Sequence, residues 1–423
     1  MLRHVCAAWL LCAMPAVAQD VRLNSEAARG ALNDASLLRA LDDTAVPQDY
    51  IAAARADYRR LLTALYAQGY YGGQISITVD GVEAANIAPL AAPDAIEEVV
   101  ISVDPGRRFT FGNVQIAPLP PRTTVSEDLG PRRTARSARI QAAVAGSINS
   151  WRDLGYAKAR VVGQSVVARH EQAKLDVDVV LDTGPSLRFG PLNVSGNETV
   201  SDDRVRQIAG LPTGQVYAPS EIAAAARRLR RTGTFASVAL SESDQIGPGD
   251  TLPINAQLSE AKPRRFGFGL ELSSVEGLTV STFWLHRNFL GGAERFRVGG
   301  EISGITGETG GVDYSLGGTF TRPATFGPDT EYFLSGEISR EDEPEFLLDT
   351  VALETGFSRI LSDDVTVRAG CWYSARAGRN GIGNTPIHAA DAAVGRHIGP
   401  ARCADKCQQW LLHRPQRDAL CQY

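Results

Sequence analysis

Two patterns of apolar and polar residues divide the chain. Before residue 264, stretches with apolar positions three and four apart alternate with short strands of period two. Leu62, Leu65 and Tyr66 mark one helical face, and Ile222, Ala226 and Leu229 another. Each helical stretch ends in a glycine followed by an aromatic residue or its neighbour: Gly69, Gly155 and Gly233. A glycine there suits the left-handed position that stops a helix. Alternating strands follow, as in 74–80, and again at 99–104, 175–182 and 254–260. Each of these later strands runs into a Pro- or Gly-containing turn. The pattern predicts small α+β units, each with two helices against a sheet, the last strand of one lying next to the first strand of the next.

The units recur in phase. "PGRRFTFGNVQI", "GPSLRFGPLNV" and "KPRRFGFGLEL" share an Arg-Phe pair: Arg108–Phe109, Arg188–Phe189 and Arg265–Phe266. These phenylalanines are 80 and 77 residues apart. The boundaries that follow are 19–107, 108–187 and 188–263. The first copy carries a Pro- and Ala-rich insert, "GVEAANIAPLAAPDA". Such a tandem could be a rigid spacer. It could equally be a partner-binding arm whose edge strands accept an extended peptide.

From Arg264 to Gly370 only period two remains. Phe266, Phe268, Leu270 and Leu272 share one face, with Gly267, Gly269, Glu271 and Ser273 on the other. Phe296, Val298 and Ile302 oppose Arg295, Arg297, Gly299 and Glu301. About seven such strands fit in 264–370. One apolar and one Gly/polar face over about 10 residues is the pattern of a transmembrane β-barrel strand. A soluble sandwich also alternates, but the glycine- and charge-rich second face favours lipid on the first. The lipid-facing set is therefore Phe266, Phe268, Leu270, Leu272, Phe296, Val298 and Ile302. The joins suggest short turns ("SSVEG", "LGGA") alternating with a longer acidic outer loop, "SREDEPEF".

The N-terminus sharpens this. A short polar start precedes "VCAAWLLCAMPAVA", which ends in an A-x-A cleavage pattern between Ala18 and Gln19. Residues 1–18 read as a secretory signal. No cysteine occurs from Gln19 to Gly370, which excludes a disulfide scaffold there. The last 53 residues hold four, with no sustained alternation. Residues 371–423 thus read as a foreign tail, from a frame shift or a truncated gene copy. A zinc site from Cys403, Cys407 and His413 is the weaker alternative, because no second ligand pair sits at matching distance.

Net charge is −5, so no basic face points to nucleic acid. G-x-S-x-G, H-E-x-x-H and P-loop patterns are absent. "ARRLRR" (226–231) reads as a solvated helix face rather than an anionic-lipid site. Neither catalytic residues, nor a cofactor, nor a metal site is expected.

The three Arg-Phe phrases, the glycine-ended helices and "HRNFLGGAERFRVGGEIS" (286–303) together resemble the BamA/TamA/two-partner-secretion superfamily. The resemblance covers about residues 22–370. It implies three POTRA modules in the periplasm, then an antiparallel transmembrane β-barrel in the outer membrane of a Gram-negative bacterium. Three modules point to the TamA branch. The implied role is non-enzymatic: assisting insertion or secretion of autotransporter-type proteins through POTRA β-augmentation and a barrel seam. The implied partners are a TamB-like protein anchored in the inner membrane, unfolded outer-membrane clients and the lipid bilayer. A two-partner-secretion transporter, a passive receptor or porin, or a non-functional copy are the alternatives. The resemblance also exposes a departure, since family barrels have about 16 strands, within the range of outer-membrane barrels, and 264–370 holds fewer than half.

Overall fold

The computed structural model describes residues 20–399, apart from positions 43, 90, 91, 276, 308, 309 and 381–385. It forms two compact units, the first ending at Gly184 and the second starting at Pro185; Asp153–Gly155 belong to the second.

The first unit holds two α+β modules. In the first, β1 (Asp20–Ser25), α1 (Arg29–Ala35), α2 (Pro47–Gln68), β2 (Gln74–Val79), β3 (Val82–Glu83) and β4 (Glu98–Asp104) follow in order. Proline opens α2, where its missing N–H costs nothing, and the Asp49 carboxylate accepts the Val46 N–H at 3.1 Å. Gly69, at φ 89°, ends the helix. Ile51, Ala54, Leu61 and Leu65 on α2 bury their side chains against Ile77, Val99 and Ile101 of the sheet. Each fully buried aliphatic side chain of this kind contributes about 1.5–3 kcal/mol. The Ala- and Pro-rich insert supplies β3 and a short 3-10 turn, Ala84–Asn86.

The second module comprises β5 (Thr110–Ala117), α3 (Ser137–Asp153), β6 (Arg160–Arg169) and β7 (Lys174–Asp182). Where a second helix is expected there is only a 3-10 turn, Glu127–Leu129. Prolines 118, 120, 121 and 131 crowd that stretch and cannot continue a helix. In the second unit, β8 (Arg188–Ser195), α4 (Asp202–Ala209), α5 (Pro219–Arg231), β9 (Phe235–Glu242) and β10 (Thr251–Glu260) form a third module with both helices present.

The sheet orders are β1-β4-β2-β3, β5-β7-β6 and β8-β10-β9. In each, the first and last strands of one module pair in parallel. This corrects the expectation that a module's last strand neighbours the next module's first. The Pro-Gly turns break the strand direction, so each sheet is completed within its own module.

Beyond Arg264 the described residues form a single antiparallel sheet. Its strands are β11 (Arg264–Ser273), β12 (Gly277–His286), β13 (Arg295–Ile305), β14 (Asp313–Arg322), β15 (Thr330–Glu343), β16 (Phe346–Ile360), β17 (Thr366–Asn380) and β18 (Pro386–Gly399). Neighbours in sequence are neighbours in space. Among the described residues β11 pairs only with β12, and β18 only with β17.

Two sequence expectations change here. Seven strands start before Gly370, but β17 runs through it to Asn380 and β18 adds an eighth. Backbone pairing on the β16 edge needs no side-chain alternation, so the loss of pattern after Gly370 does not end the sheet. Residues 400–423, with Cys403, Cys407 and His413, lie outside the described residues, as does the Ala18–Gln19 junction. Second, successive connections of a meander fall on opposite ends, so "SSVEG" and "LGGA" cannot share one. "LGGA" lies at the end where the chain enters from the third module; "SSVEG" lies at the other. "SREDEPEF" is mostly strand, because β15 and β16 stay paired from Glu343–Phe346 inward. Only Pro344 and Glu345 connect them.

Candidate functional site

The Arg-Phe phrases are structural joints of two kinds. At the first, Phe109 is buried and its N–H donates to the Gly69 carbonyl at 2.8 Å. Phe109 O accepts from Ala135, and Phe111 donates to Arg133 O. The Arg108 guanidinium lies 5.1 Å from the Tyr70 ring centre. At the second, within the second unit, Leu187 N donates to Gly155 O at 2.8 Å, Leu187 O accepts from Tyr217, and Phe189 donates to Gln215 O. Leu187 is therefore the counterpart of Phe109, and Phe189 the counterpart of Phe111. The sequence match is two residues out of register, which keeps the same face. Phe111-Gly112 and Phe189-Gly190 each sit at a bulge, with two residues opposite one on the partner strand. A Cβ on Gly112 would lie 2.2 Å from Asp176 Oδ1. Arg188 Nη1 donates to Gly214 O at 2.9 Å.

The third phrase reverses the pattern. Phe266 is 66% exposed, Phe268 84%, and Leu270 and Leu272 are likewise exposed. Ile302 is exposed, and Phe296 and Val298 are half-buried. Register places all seven on one face: Phe266 faces Trp284, which faces Val298, and Leu270 faces Val280, which faces Ile302. At the end where the third module enters, this face carries rings in two linked groups. Trp284, His286, Phe289 and Phe296 form one, and Phe320, Tyr332, Phe357 and Phe326 the other. The opposite face is polar and glycine-rich. Arg297 lies 4.5 Å from the Phe283 ring centre and Arg368 lies 3.7 Å from that of Phe333, while Arg368 and Glu354 pair at 2.9 Å. Phe283 covers Gly267, where a Cβ would be 2.2 Å from the ring.

The third module is fastened to two connections of this sheet, 287–294 and 323–329. On α4, Arg204 donates to Gly292 O at 3.0 and 3.2 Å and to Pro323 O at 2.8 Å. Gln207 reaches Ala324 O at 3.1 Å. Burial pulls the Arg204 guanidinium below its ordinary value; buried Glu294 opposes this and Arg322 adds to it. On α5, Arg228 grips Asp329 with Nε at 3.1 Å from both oxygens and Nη2 at 2.8 Å from Oδ2. Arg231 adds a contact at 3.3 Å. Burial raises the Asp329 carboxyl, but the two arginines outweigh it and hold the group below the usual carboxylate range.

A third fastening joins the module's 197–200 loop to the same sheet. Glu260 Oε1 accepts the N–H groups of Glu198, Thr199 and Val200 at 2.9–3.0 Å. The Thr199 hydroxyl donates to Glu260 Oε2 and accepts from Asn288 Nδ2 at 2.8 Å. Burial raises the Glu260 carboxyl, and these bonds more than offset it, lowering it overall. The Thr234 hydroxyl donates to Arg287 O at 2.8 Å.

Residues 187–260 match the POTRA family model, described as a surface antigen variable number repeat. They form a POTRA domain. Among solved structures, BamA from Haemophilus ducreyi lacking POTRA domains 1–3 matches with TM-score 0.53 and 16% identity, over 68% of this chain and 58% of that one. CdiB from Acinetobacter baumannii matches with TM-score 0.45 and 11% identity, over 85% and 68%. POTRA3–5 of BamA from Haemophilus influenzae gives TM-score 0.41 and 18% identity, over 57% and 94%. This chain spans 58% of the length of the H. ducreyi BamA chain, and the likeness to it establishes the fold: a POTRA domain leading into a partial barrel-type sheet.

Sequence reasoning missed the fastening residues. "ARRLRR" reads as solvated, yet the Arg228 side chain is only 14% exposed, held by a carboxylate 101 residues away. No local pattern pairs Arg228 with Asp329 or Thr199 with Asn288. The available signal was weaker: three arginines within one short helix turn, and an isolated Asp beside Pro328 in a connection.

Proposed function

We propose that this chain is a non-enzymatic component of outer-membrane protein assembly or secretion, embedded by its sheet in the outer membrane with its modules in the periplasm. The observation that carries this is a POTRA domain hydrogen-bonded to the root of an outward-apolar sheet whose first strand, β11, has an unpaired edge among the described residues. An unpaired edge in lipid must find a partner strand, because its N–H and C=O groups have no water. A client strand is a chemically suitable partner. The first two modules repeat the topology of the POTRA domain, which supports reading all three as POTRA modules. Strand β6 offers a second edge: Val161, Val162, Val166 and Val167 are all exposed on it. Such an edge suits an extended apolar segment. Autotransporter-type clients and a TamB-like partner at the first module follow from the TamA-branch resemblance.

The test is disulfide capture in vesicles. Cysteine replaces Leu270 in a background where the native cysteines, Cys371, Cys403, Cys407 and Cys421 included, are serine, and an unfolded outer-membrane barrel client carries a cysteine in its terminal strand. A crosslink that forms during insertion, with insertion faster than into empty vesicles, supports the reading. Insertion at the empty-vesicle rate with no crosslink overturns it.

A further inference from the structure

The connection 323–329 has two features that the fastening role leaves unexplained. Phe326 is 88% exposed, and it holds a left-handed backbone, φ 63°, that bulky residues adopt at a cost. Its ring is 5.5 Å from that of Phe357, at the margin of the outward apolar face. Three residues on, Asp329 holds Arg228 and Arg231 of α5. Arg227 on the same helix is exposed. Asp329 thus holds two guanidinium groups, one of them, Arg231, reaching solvent, and Arg227 adds a solvent-exposed cation one turn earlier on the same helix.

We infer that Phe326 and the Arg227–Arg231 face of α5 form a shelf that binds the phosphate headgroups of the periplasmic leaflet, setting the depth of the sheet and the stance of the POTRA domain. This rests on the outer-membrane reading above. An aromatic ring at a lipid–water boundary keeps its apolar body in the acyl margin. Arginines just outside that boundary attract phosphate, which they bind in a planar, two-pronged way. The charge suits this occupant: Arg231 is tied through Asp329 to the connection that carries Phe326, and Phe326 in turn touches Phe357 at the margin of the apolar face. Glu221 is the acidic residue of α5, at its opposite end. Asp363 and Asp364, on the next connection at the same end of the sheet, oppose the attraction. With exposed Arg230, the end of α5 carries four cations against Asp329, Asp363 and Asp364, so about one net cation remains and anionic lipid is expected to be enriched about fivefold.

The test uses the full chain in vesicles of phosphatidylcholine and phosphatidylglycerol, with a photo-crosslinking phenylalanine analogue at position 326 or, separately, at Leu270. The inference expects lipid adducts at both positions. At 326 phosphatidylglycerol should be enriched about fivefold over its bulk share, and the double variant R227Q/R231Q should bring it to that share or below. Adducts at 270 but none at 326 overturn the shelf and leave the membrane reading intact. Adducts at 326 in the bulk ratio, unchanged by R227Q/R231Q, overturn the headgroup role. Adducts at neither position, or protein adducts at both, overturn the membrane reading and the shelf with it.

Discussion

Phe189 and Phe266 stand in the same phrase, each after an arginine, and meet opposite fates. Phe189 is fully buried under Tyr217, whereas Phe266 is two-thirds exposed. In the POTRA domain, α4 and α5 cover the apolar face of a three-stranded sheet. Among the described residues no helix follows Arg264, and none of them covers the apolar face. The alternation is the same in both regions; what differs is the solvent that the apolar face requires. A period of two tells which residues share a face and leaves open which face is inside.

The largest effect should come from Phe189→Ala. Removing a fully buried ring costs about 3–5 kcal/mol, and hydrogen exchange of the β8 and β10 amides should report a loss of that size. Phe266→Ala should leave those amides within about 0.5 kcal/mol, as for an exposed site. Equal losses would erase the contrast between the two phenylalanines.

Next in size is Leu270→Arg on the outward face. A charge at the lipid-facing middle of a strand costs about 2–4 kcal/mol. The change should reduce folding into vesicles, read by urea titration in lipid. Glu271→Gln, one residue away on the polar face, should have little effect there. If Leu270→Arg folds as well as the parent, that face does not meet lipid.

These two regions also show how much was legible. The glycine-ended helices at Gly69, Gly155 and Gly233 all have positive φ, as their sequence positions require. The strands from 264 onward fall where the alternation puts them, because period two is a local property. The ends of the pattern were less legible. Leu187 replaces Phe109 because a two-residue slip preserves every face, so sequence matching has no penalty to detect it. The extension of β17 and β18 past Gly370 rests on backbone pairing, which side-chain pattern does not encode. Arg228 and Asp329 are 101 residues apart and are brought together by the tertiary fold, which no local pattern encodes.

That ion pair links the two regions, and Arg228→Ala should cost about 2 kcal/mol, as for loss of a charged, hydrogen-bonded contact. Arg228→Lys should recover only part, since an ammonium cannot make the two-pronged contact. Exchange at the amides of Thr325 and Thr330, whose bonds shape the connection, is the readout. The pair also has a pH signature. Asp329 titrates lower in the folded chain than in the unfolded one, so its contribution is complete above the unfolded carboxylate value of about 4 and is lost as pH falls through the folded one. Arg228→Ala should flatten that acid-side loss.

The smallest expected effect separates strain from contact. Gly210 and Gly233 both follow helices of the POTRA domain at positive φ, 59° and 67°. A Cβ on Gly233 would meet open space. One on Gly210 would lie 2.5 Å from Pro328 Cβ, in the connection that carries Asp329. Alanine in a left-handed conformation costs about 1 kcal/mol, so Gly233→Ala should lose that amount and no more. Gly210→Ala should lose the same strain energy within the domain, and additionally loosen the 323–329 amides, because Pro328 must move. If exchange there were identical in the two variants, the close approach of α4 to Pro328 would not hold the connection, and the polar contacts of Arg204, Gln207 and Arg228 would fasten it alone.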